Sequence, residues 1–102
     1  MYKRILLKLS GEALGNPFDT KVLENIAEQI KQLVNDGVEV GIVVGGGNIC
    51  RGRTFEKLGL DRRNADYIGM EATVINAQMI EASLTKIGVN AKTLSTIDVQ
   101  RV

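Results

Sequence analysis

The fold is decided by the sequence Val38-Glu39-Val40-Gly41-Ile42-Val43-Val44-Gly45-Gly46-Gly47-Asn48. Residues 38–44 are β-branched except at Glu39 and Gly41, a composition that is typical of a buried strand. The run passes directly into three glycines and an asparagine, which favour a turn. The pattern therefore predicts a strand whose carboxyl end opens into a glycine-rich turn.

A second strand and a helix are predicted before this segment. Arg4–Leu9 is a short apolar run that is followed at once by turn residues, which indicates a buried strand. Apolar residues then recur at helical spacing from Val22, with Asp19 or Thr20 available as the N-cap and Gly37 as the end. Strand, helix and strand within this length form a βαβ unit, whose two strands must be parallel.

The remainder of the chain predicts a second helix over 63–87, ended by Gly88, and a third strand over 91–94. The predicted buried stripe of this helix consists of Ile68, Ala72, Ile75, Met79 and Ala82. Parallel sheets are normally covered on both faces, and this pattern supplies too few helices to do so. Of a small complete α/β domain and part of a larger one, we favour the larger fold.

The composition of the chain excludes several kinds of functional site. The chain has 102 residues, with 13 Lys and Arg against 12 Asp and Glu, so its formal charge is +1. This balance argues against a nucleic-acid partner, because affinity for polyanions normally requires a basic excess. One cysteine and no histidine exclude an internal disulfide, a Cys/His zinc site and histidine-based catalysis. Phosphate chemistry and carboxylate chemistry remain open.

The sequence shows neither an export signal nor a membrane span. Lys8 interrupts the amino-terminal apolar run well before it reaches the length of a signal-peptide core. The apolar stretch at 40–44 is far shorter than the roughly 20 residues that cross a bilayer. We therefore expect a soluble, cytoplasmic protein without a membrane partner.

Two glycine-containing turns follow the first two strands, and parallel strands place both turns at one edge of the sheet. Ligands of open α/β sheets bind at that carboxyl edge. Three consecutive glycines allow backbone N–H groups to approach an anion, although a tight turn also tolerates glycine. No Lys-Ser/Thr pair completes a Walker loop. Cys50 stands where a dinucleotide fingerprint from Gly45 needs glycine or alanine.

Three charged side chains are candidates for the same site. Lys8 lies just before the turn at Ser10, so its ammonium either holds a phosphoryl group or extends to solvent. Arg51, four positions beyond Gly47, can bind phosphate in bidentate fashion, although most arginines only carry surface charge. Asp66 either accepts a hydrogen bond from a ribose hydroxyl or is a carboxylate favoured by the helix dipole.

These features coincide with a family resemblance. The stretches that carry it are YKRILLKLSGEAL at 2–14, GGGN at 45–48 with RG at 51–52, AD at 65–66, and GMEATVIN at 69–76. Together they resemble the bacterial uridylate kinases, which are UMP kinases of the amino-acid-kinase fold. The resemblance extends over essentially the whole chain and covers the N-terminal portion of a family member.

The resemblance implies an α/β three-layer sandwich with a mainly parallel sheet, of which 1–102 is the N-terminal part of a single domain. It implies transfer of the ATP γ-phosphoryl group to UMP in pyrimidine nucleotide synthesis, with Mg²⁺ accompanying ATP and no metal ligand assigned in this chain. It also implies a homohexamer. Implied ATP and phosphate contacts are Lys8, Leu9, Ser10, Gly11, Gly47 and Arg51, with Lys8 catalytic; implied UMP contacts are Gly46 and Asp66.

The sequence departs from the family pattern at two places, and two alternative functions stay open. The segment from Gly15 to Pro17 is shorter than the loop where many members sense GTP, and Cys50 replaces a common aromatic residue. The remaining uracil contacts, the adenine pocket and a catalytic carboxylate belong to the absent C-terminal half, so we expect this chain alone to be inactive. The alternatives are a non-catalytic fragment that binds nucleotide or a partner, and another amino-acid kinase that acts on a carboxylate or carbamate.

Overall fold

The computed structural model of the protein describes residues 3–15, 18–50 and 52–95. In chain order, the elements are β1 (Arg4–Leu9), a 3-10 helix (Gly11–Leu14), α1 (Thr20–Asn35), β2 (Glu39–Val44), α2 (Gly52–Leu58) and α3 (Arg62–Lys86). None of these helices is both long enough and apolar enough to cross a membrane.

The two strands pair in parallel, as the predicted βαβ unit requires. Lys8 lies opposite Val43 and Leu9 opposite Val44, so both strands end at the same level. The Gly45 N–H continues the pairing beyond β2 by donating to the Leu9 carbonyl oxygen at 3.1 Å. The register therefore places the two glycine-containing turns side by side at the carboxyl edge.

The crossover helix α1 begins and ends at the predicted signals. Asp19 is its N-cap, and the carboxylate accepts the N–H groups of Lys21 at 2.9 Å and Val22 at 3.3 Å. These bonds satisfy two of the donors that a helix start leaves without partners. After the helix, Gly37 has φ 84°, a left-handed conformation that glycine adopts without steric cost.

The core lies between the two long helices and one face of the sheet. Its buried apolar side chains are Leu14, Leu23, Ala27, Ile30, Ile80, Leu84 and Val89. Leu7, Leu9, Val40, Ile42 and Val44 alternate along the strands and pack against this cluster. On the other face, Leu6 is 65% exposed and Val43 is 51% exposed. The sheet is thus covered on a single face by the described residues.

Two predictions about local structure are wrong. Residues 91–94 form no strand, because the Thr93 N–H donates to the Glu81 carboxylate of α3 at 2.7 Å instead of to a neighbouring strand. Within the described ranges, the sheet therefore has two strands. The loop predicted after the glycine-rich turn contains α2, a short helix of seven residues that the sequence pattern did not indicate.

The buried stripe of α3 also differs from the predicted one. Its buried residues are Ala72, Val74, Asn76, Ile80 and Leu84. Of the predicted stripe, Ala72 is buried, Ile68 and Met79 are half-buried, and Ile75 and Ala82 are exposed. The prediction followed apolar residues only, whereas the stripe with a spacing of four residues passes through a polar residue, Asn76.

Candidate functional site

The turns that follow β1 and β2 are in direct contact at the carboxyl edge. Gly11 is buried, and a Cβ atom added to it would lie 2.6 Å from the Asn48 Oδ1 atom and 2.7 Å from the Gly47 nitrogen. Real Cβ atoms are not found at such distances from backbone atoms. Gly11 is therefore required by the close approach of the second turn.

The second turn is also packed closely against α3. A Cβ atom on Gly46 would lie 2.9 Å from the Ala72 Cβ and 3.2 Å from the Thr73 nitrogen. The Gly46 carbonyl oxygen accepts the N–H groups of Ile49 at 3.0 Å and Cys50 at 3.1 Å, which closes the turn. The turn is thus held between the 3-10 helix and the middle of α3.

A fully buried asparagine joins this turn to α3. Asn76 is 0% exposed, and its Nδ2 donates to the Gly45 carbonyl oxygen and to the Asn48 Oδ1, both at 2.6 Å. The Asn48 Nδ2 donates back to the Asn76 Oδ1 at 3.1 Å. The side-chain amides of Asn48 and Asn76 therefore form a reciprocal pair. Sequence reasoning missed this pair, although a polar residue four positions from Ala72 and from Ile80 is the signal that indicates it.

A carboxylate also lies beside the turn. Glu12 belongs to the 3-10 helix, and a Cβ atom on Gly47 would overlap the Glu12 carboxylate. The Glu12 side chain is exposed. Glu12 was not predicted as a site residue, because a single exposed glutamate next to a glycine gives no distinctive pattern.

The predicted phosphate-binding segment lies at the end of β1. Lys8 is exposed and shares the open face of the sheet with Leu6, whereas Leu9 faces the core and its carbonyl oxygen accepts the Gly45 N–H. Ser10 is exposed and caps the 3-10 helix, with its carbonyl oxygen accepting the Ala13 N–H at 3.1 Å. Lys8 thus lies on the face of the sheet opposite α3, one residue before β1 ends, and a role of its ammonium at the carboxyl edge stays a prediction.

Asp66 lies on α3, on the amino-terminal side of the contact with the turn. It is the fifth residue of a helix that starts at Arg62, and the capping position is taken by Asp61, which accepts the Asn64 N–H at 2.8 Å. This placement weakens the dipole interpretation, which applies to the first turn. Asp66 precedes Thr73 by two helical turns, so both project from the same side, about 10 Å apart along the axis.

Of the other predicted residues near the turn, Arg51 lies outside the described residues. Cys50 is a half-buried free thiol.

The arrangement suits an anion at the carboxyl edge. The glycines of the turn bring its backbone to this edge without side chains of their own, the exposed Glu12 carboxylate lies beside Gly47, and Lys8 stands on the neighbouring strand. Asp66 offers a hydrogen-bond acceptor farther along α3. An anion with a hydroxyl-bearing group attached to it, such as a nucleotide, matches this order of donors and acceptor.

Comparison with known proteins agrees with this geometry. Residues 3–101 match the amino acid kinase family. The chain is 50% identical to a uridylate kinase from Mycoplasmopsis pulmonis, over 96% of this chain and 42% of that protein. Among solved structures, it resembles a UMP kinase from Ureaplasma parvum, with a TM-score of 0.87 and 38% identity over 97% of this chain and 45% of that one. A UMP kinase from Bacillus anthracis gives a TM-score of 0.77 and 52% identity, over 83% of this chain and 36% of that one.

The chain thus spans less than half the length of these relatives, and it is similar to the N-terminal portion of UMP kinases. The predicted α/β fold class, an incomplete amino-acid-kinase fold with a parallel sheet, is confirmed by these structural matches. The assignment of 1–102 to part of a single domain, and the roles of the individual site residues, stay predictions.

Proposed function

This chain belongs to the amino acid kinase family, and from that premise we propose that the protein containing it transfers the γ-phosphoryl group of ATP to UMP, forming ADP and UDP in pyrimidine nucleotide synthesis. The observation that carries the proposal is the contact between the two turns at the carboxyl edge, which brings the end of the Lys8 strand beside Gly46 and Gly47. The similarity to uridylate kinases supports UMP as the acceptor.

In the proposed reaction, a phosphate oxygen of UMP forms a bond to the γ-phosphorus of ATP while the bond from that phosphorus to the β-phosphate oxygen breaks. Negative charge spreads over the transferred group, so alignment and charge neutralisation supply most of the catalysis. We assign the Lys8 ammonium to the transferred group, since a cation acts best where charge develops. The Ser10 and Gly11 turn adjoins it on the ATP side.

We assign the two nucleotides to separate parts of the carboxyl edge of the sheet, here called the rim. We assign the Gly46 N–H to the UMP phosphate and the Gly47 N–H to an ATP phosphate, with Arg51 as a second ATP contact. Asp66 is assigned to the UMP ribose, because its position along α3 lies beyond the phosphate-binding turn. An incoming phosphate would displace the exposed Glu12 carboxylate from Gly47, since two anionic groups repel each other there.

Mg²⁺ belongs to the proposal as a companion of ATP. The described ranges contain no group of three metal-binding side chains, so this part of the chain offers no ready set of ligands. Mg²⁺ is commonly held by substrate phosphates and water with few protein ligands. When bound, it would supply positive charge that neutralises part of the charge of the phosphates. The homohexamer and the cytoplasmic location also stay predictions.

The test is an assay of the complete protein encoded with this chain. We expect ADP formation that depends on UMP and is much slower with CMP. Equal rates with the two nucleotides, or no reaction with UMP, would contradict the proposal. The second result would favour the non-catalytic alternative, whereas activity with a carboxylate or carbamate substrate would favour another member of the family.

A paired substitution tests the role of Lys8. Lys8→Ala should lower kcat by about 100- to 1,000-fold, because one electrostatic contact to the transition state is lost. Lys3→Ala is the matched control, since Lys3 is also exposed but lies at the amino end of the same strand, where its carbonyl oxygen accepts the Glu39 N–H. Equal turnover in the two variants would reject the assignment of Lys8.

A further inference from the structure

We propose that Asn76 is a positioning residue that directs the Gly46 N–H toward the acceptor phosphate. This inference rests on the proposed function, because it takes the Gly46 N–H as a contact to UMP. Asn76 itself is completely buried and cannot touch a nucleotide. Its influence must therefore pass through the turn that it holds.

The hydrogen bonds of Asn76 satisfy both N–H donors of its side-chain amide. One N–H of the Nδ2 group binds the Gly45 carbonyl oxygen and the other binds Asn48 Oδ1. The Asn76 Oδ1 accepts from Asn48 Nδ2. A buried amide costs free energy unless it is fully paired, and an apolar side chain would fill this place in the stripe of α3 without that cost. The geometry of the turn gives a reason for a polar residue here.

The geometry of the peptide unit shows what that bond controls. The Gly45 carbonyl and the Gly46 N–H belong to the same planar trans peptide, and they point in opposite directions. When Asn76 fixes the carbonyl toward α3, the Gly46 N–H is turned away from Asn76. Within the described ranges, no acceptor is paired with that N–H. Asn76 therefore keeps a backbone donor available at the rim.

The next peptide unit is fixed by different bonds. The Gly46 carbonyl oxygen accepts two backbone N–H groups, from Ile49 and Cys50, and this peptide contains the Gly47 N–H. The peptide that contains the Gly46 N–H is therefore held by a side-chain bond from Asn76, whereas the peptide that contains the Gly47 N–H is held by main-chain bonds. Loss of the Asn76 amide should affect the Gly46 N–H and leave the Gly47 N–H in place.

The decisive experiment measures both KM values in the complete protein. In Asn76→Asp, the carboxylate is similar in size but cannot donate to the Gly45 carbonyl oxygen, so this peptide should rotate and turn the Gly46 N–H toward α3. We expect the KM for UMP to rise by about 10- to 100-fold, as for a lost hydrogen bond to a charged group. The KM for ATP should stay within about twofold.

Two further variants accompany this measurement. Gln78→Ala is the matched control, because Gln78 is an exposed amide on the same helix, and its KM values should equal those of the wild type. Asn48→Ala removes one half of the amide pair from a half-buried turn and leaves the bond to Gly45, so the UMP-selective rise should be smaller, about 3- to 10-fold. It decides the question if Asn76→Asp does not fold.

The outcomes separate this inference from the proposed function. An unchanged KM for UMP in a folded variant, or equal increases in both KM values, would overturn the positioning role. Absence of wild-type activity with UMP would overturn the proposed function instead. In that case, crystal structures of the wild type and Asn76→Asp still decide the role, since a peptide that keeps its orientation in the variant contradicts it.

Discussion

The glycines at the carboxyl edge of the sheet and the glycines that end the two long helices look alike in sequence but meet different requirements. Gly11 and Gly46 lie where an added Cβ would approach neighbouring atoms to within 3 Å. Gly37 and Gly88 have nothing within 4 Å of such an atom, but their φ values are 84° and 85°. Close approach thus explains the first pair, and backbone conformation explains the second.

Of these two kinds of glycine, we expect only those required by close approach to affect nucleotide binding. A glycine at a helix end contributes only to folding, whereas a glycine required by close approach brings two chain segments together at the rim. The next four substitutions to alanine test this distinction, and their expected effects decrease in the order given.

Gly11→Ala should have the largest effect among them. The new methyl group would collide with the Gly47 nitrogen and the Asn48 side chain, and the backbone has no alternative position without separating the two turns. We expect a loss of about 1–3 kcal/mol in the free energy of unfolding, as for an overpacked core. The KM values for both nucleotides should rise as well. Denaturant unfolding measures the first effect and steady-state kinetics the second. Wild-type values in both measurements would show that close approach of the second turn does not require glycine at position 11.

Gly46→Ala should mainly affect UMP. Its methyl group would meet the Ala72 Cβ, so the turn must move away from α3 and carry the Gly46 N–H with it. We expect the KM for UMP to rise by about tenfold, the loss of roughly one hydrogen bond. Adding Ala72→Gly should recover part of the affinity, because the opposing methyl group is removed. No recovery in the double variant would show that this contact does not set the position of the turn.

Gly88→Ala should affect stability alone. Alanine in the left-handed region costs about 1 kcal/mol, and the open surroundings add no collision. The melting temperature should fall by several degrees while kcat and both KM values of the folded enzyme stay unchanged. A change in KM would mean that the end of α3 is coupled to the rim. This result would contradict the distinction between glycines that end helices and glycines required by close approach.

Gly45→Ala should have the smallest effect, although Gly45 belongs to the same glycine run. An added Cβ would lie 3.5 Å from the Gly11 nitrogen, which is ordinary van der Waals contact. We expect a change in unfolding free energy within about 0.5 kcal/mol and unaltered kinetics. A severe loss would indicate that the whole run is required, contrary to the distances.

Much of the fold followed from the sequence because its signals are local. The strand β1, the helix from Val22 with Asp19 as cap, and the stop at Gly37 each depend on neighbouring residues, and the structure confirms these elements. The prediction that β1 and β2 are buried is wrong, because exposed and half-buried residues alternate along both strands. The prediction of a third strand over 91–94 was wrong for the opposite reason, because it depends on residues that are not neighbours in sequence. An apolar segment becomes a strand only if a partner is present, and the Thr93 N–H is bound by Glu81.

The candidate site was predictable in part. Parallel strands alone place the turn after Lys8 beside the triple glycine, and the register confirms that juxtaposition. The Asn48–Asn76 pair joins residues 28 positions apart, so no local pattern reveals it. The sequence contains one sign of the pair, which is the polar residue Asn76 within the otherwise apolar buried stripe of α3. The predicted stripe contained apolar residues only and therefore left Asn76 out.

The most direct test of the shared rim is a crystal structure of the complete protein with UMP and a non-hydrolysable ATP analogue. We expect a UMP phosphate oxygen within about 3.2 Å of the Gly46 nitrogen, with the Lys8 ammonium between the two nucleotides. A UMP phosphate bound away from the glycine turn, or a Lys8 side chain directed off the carboxyl edge, would contradict the account.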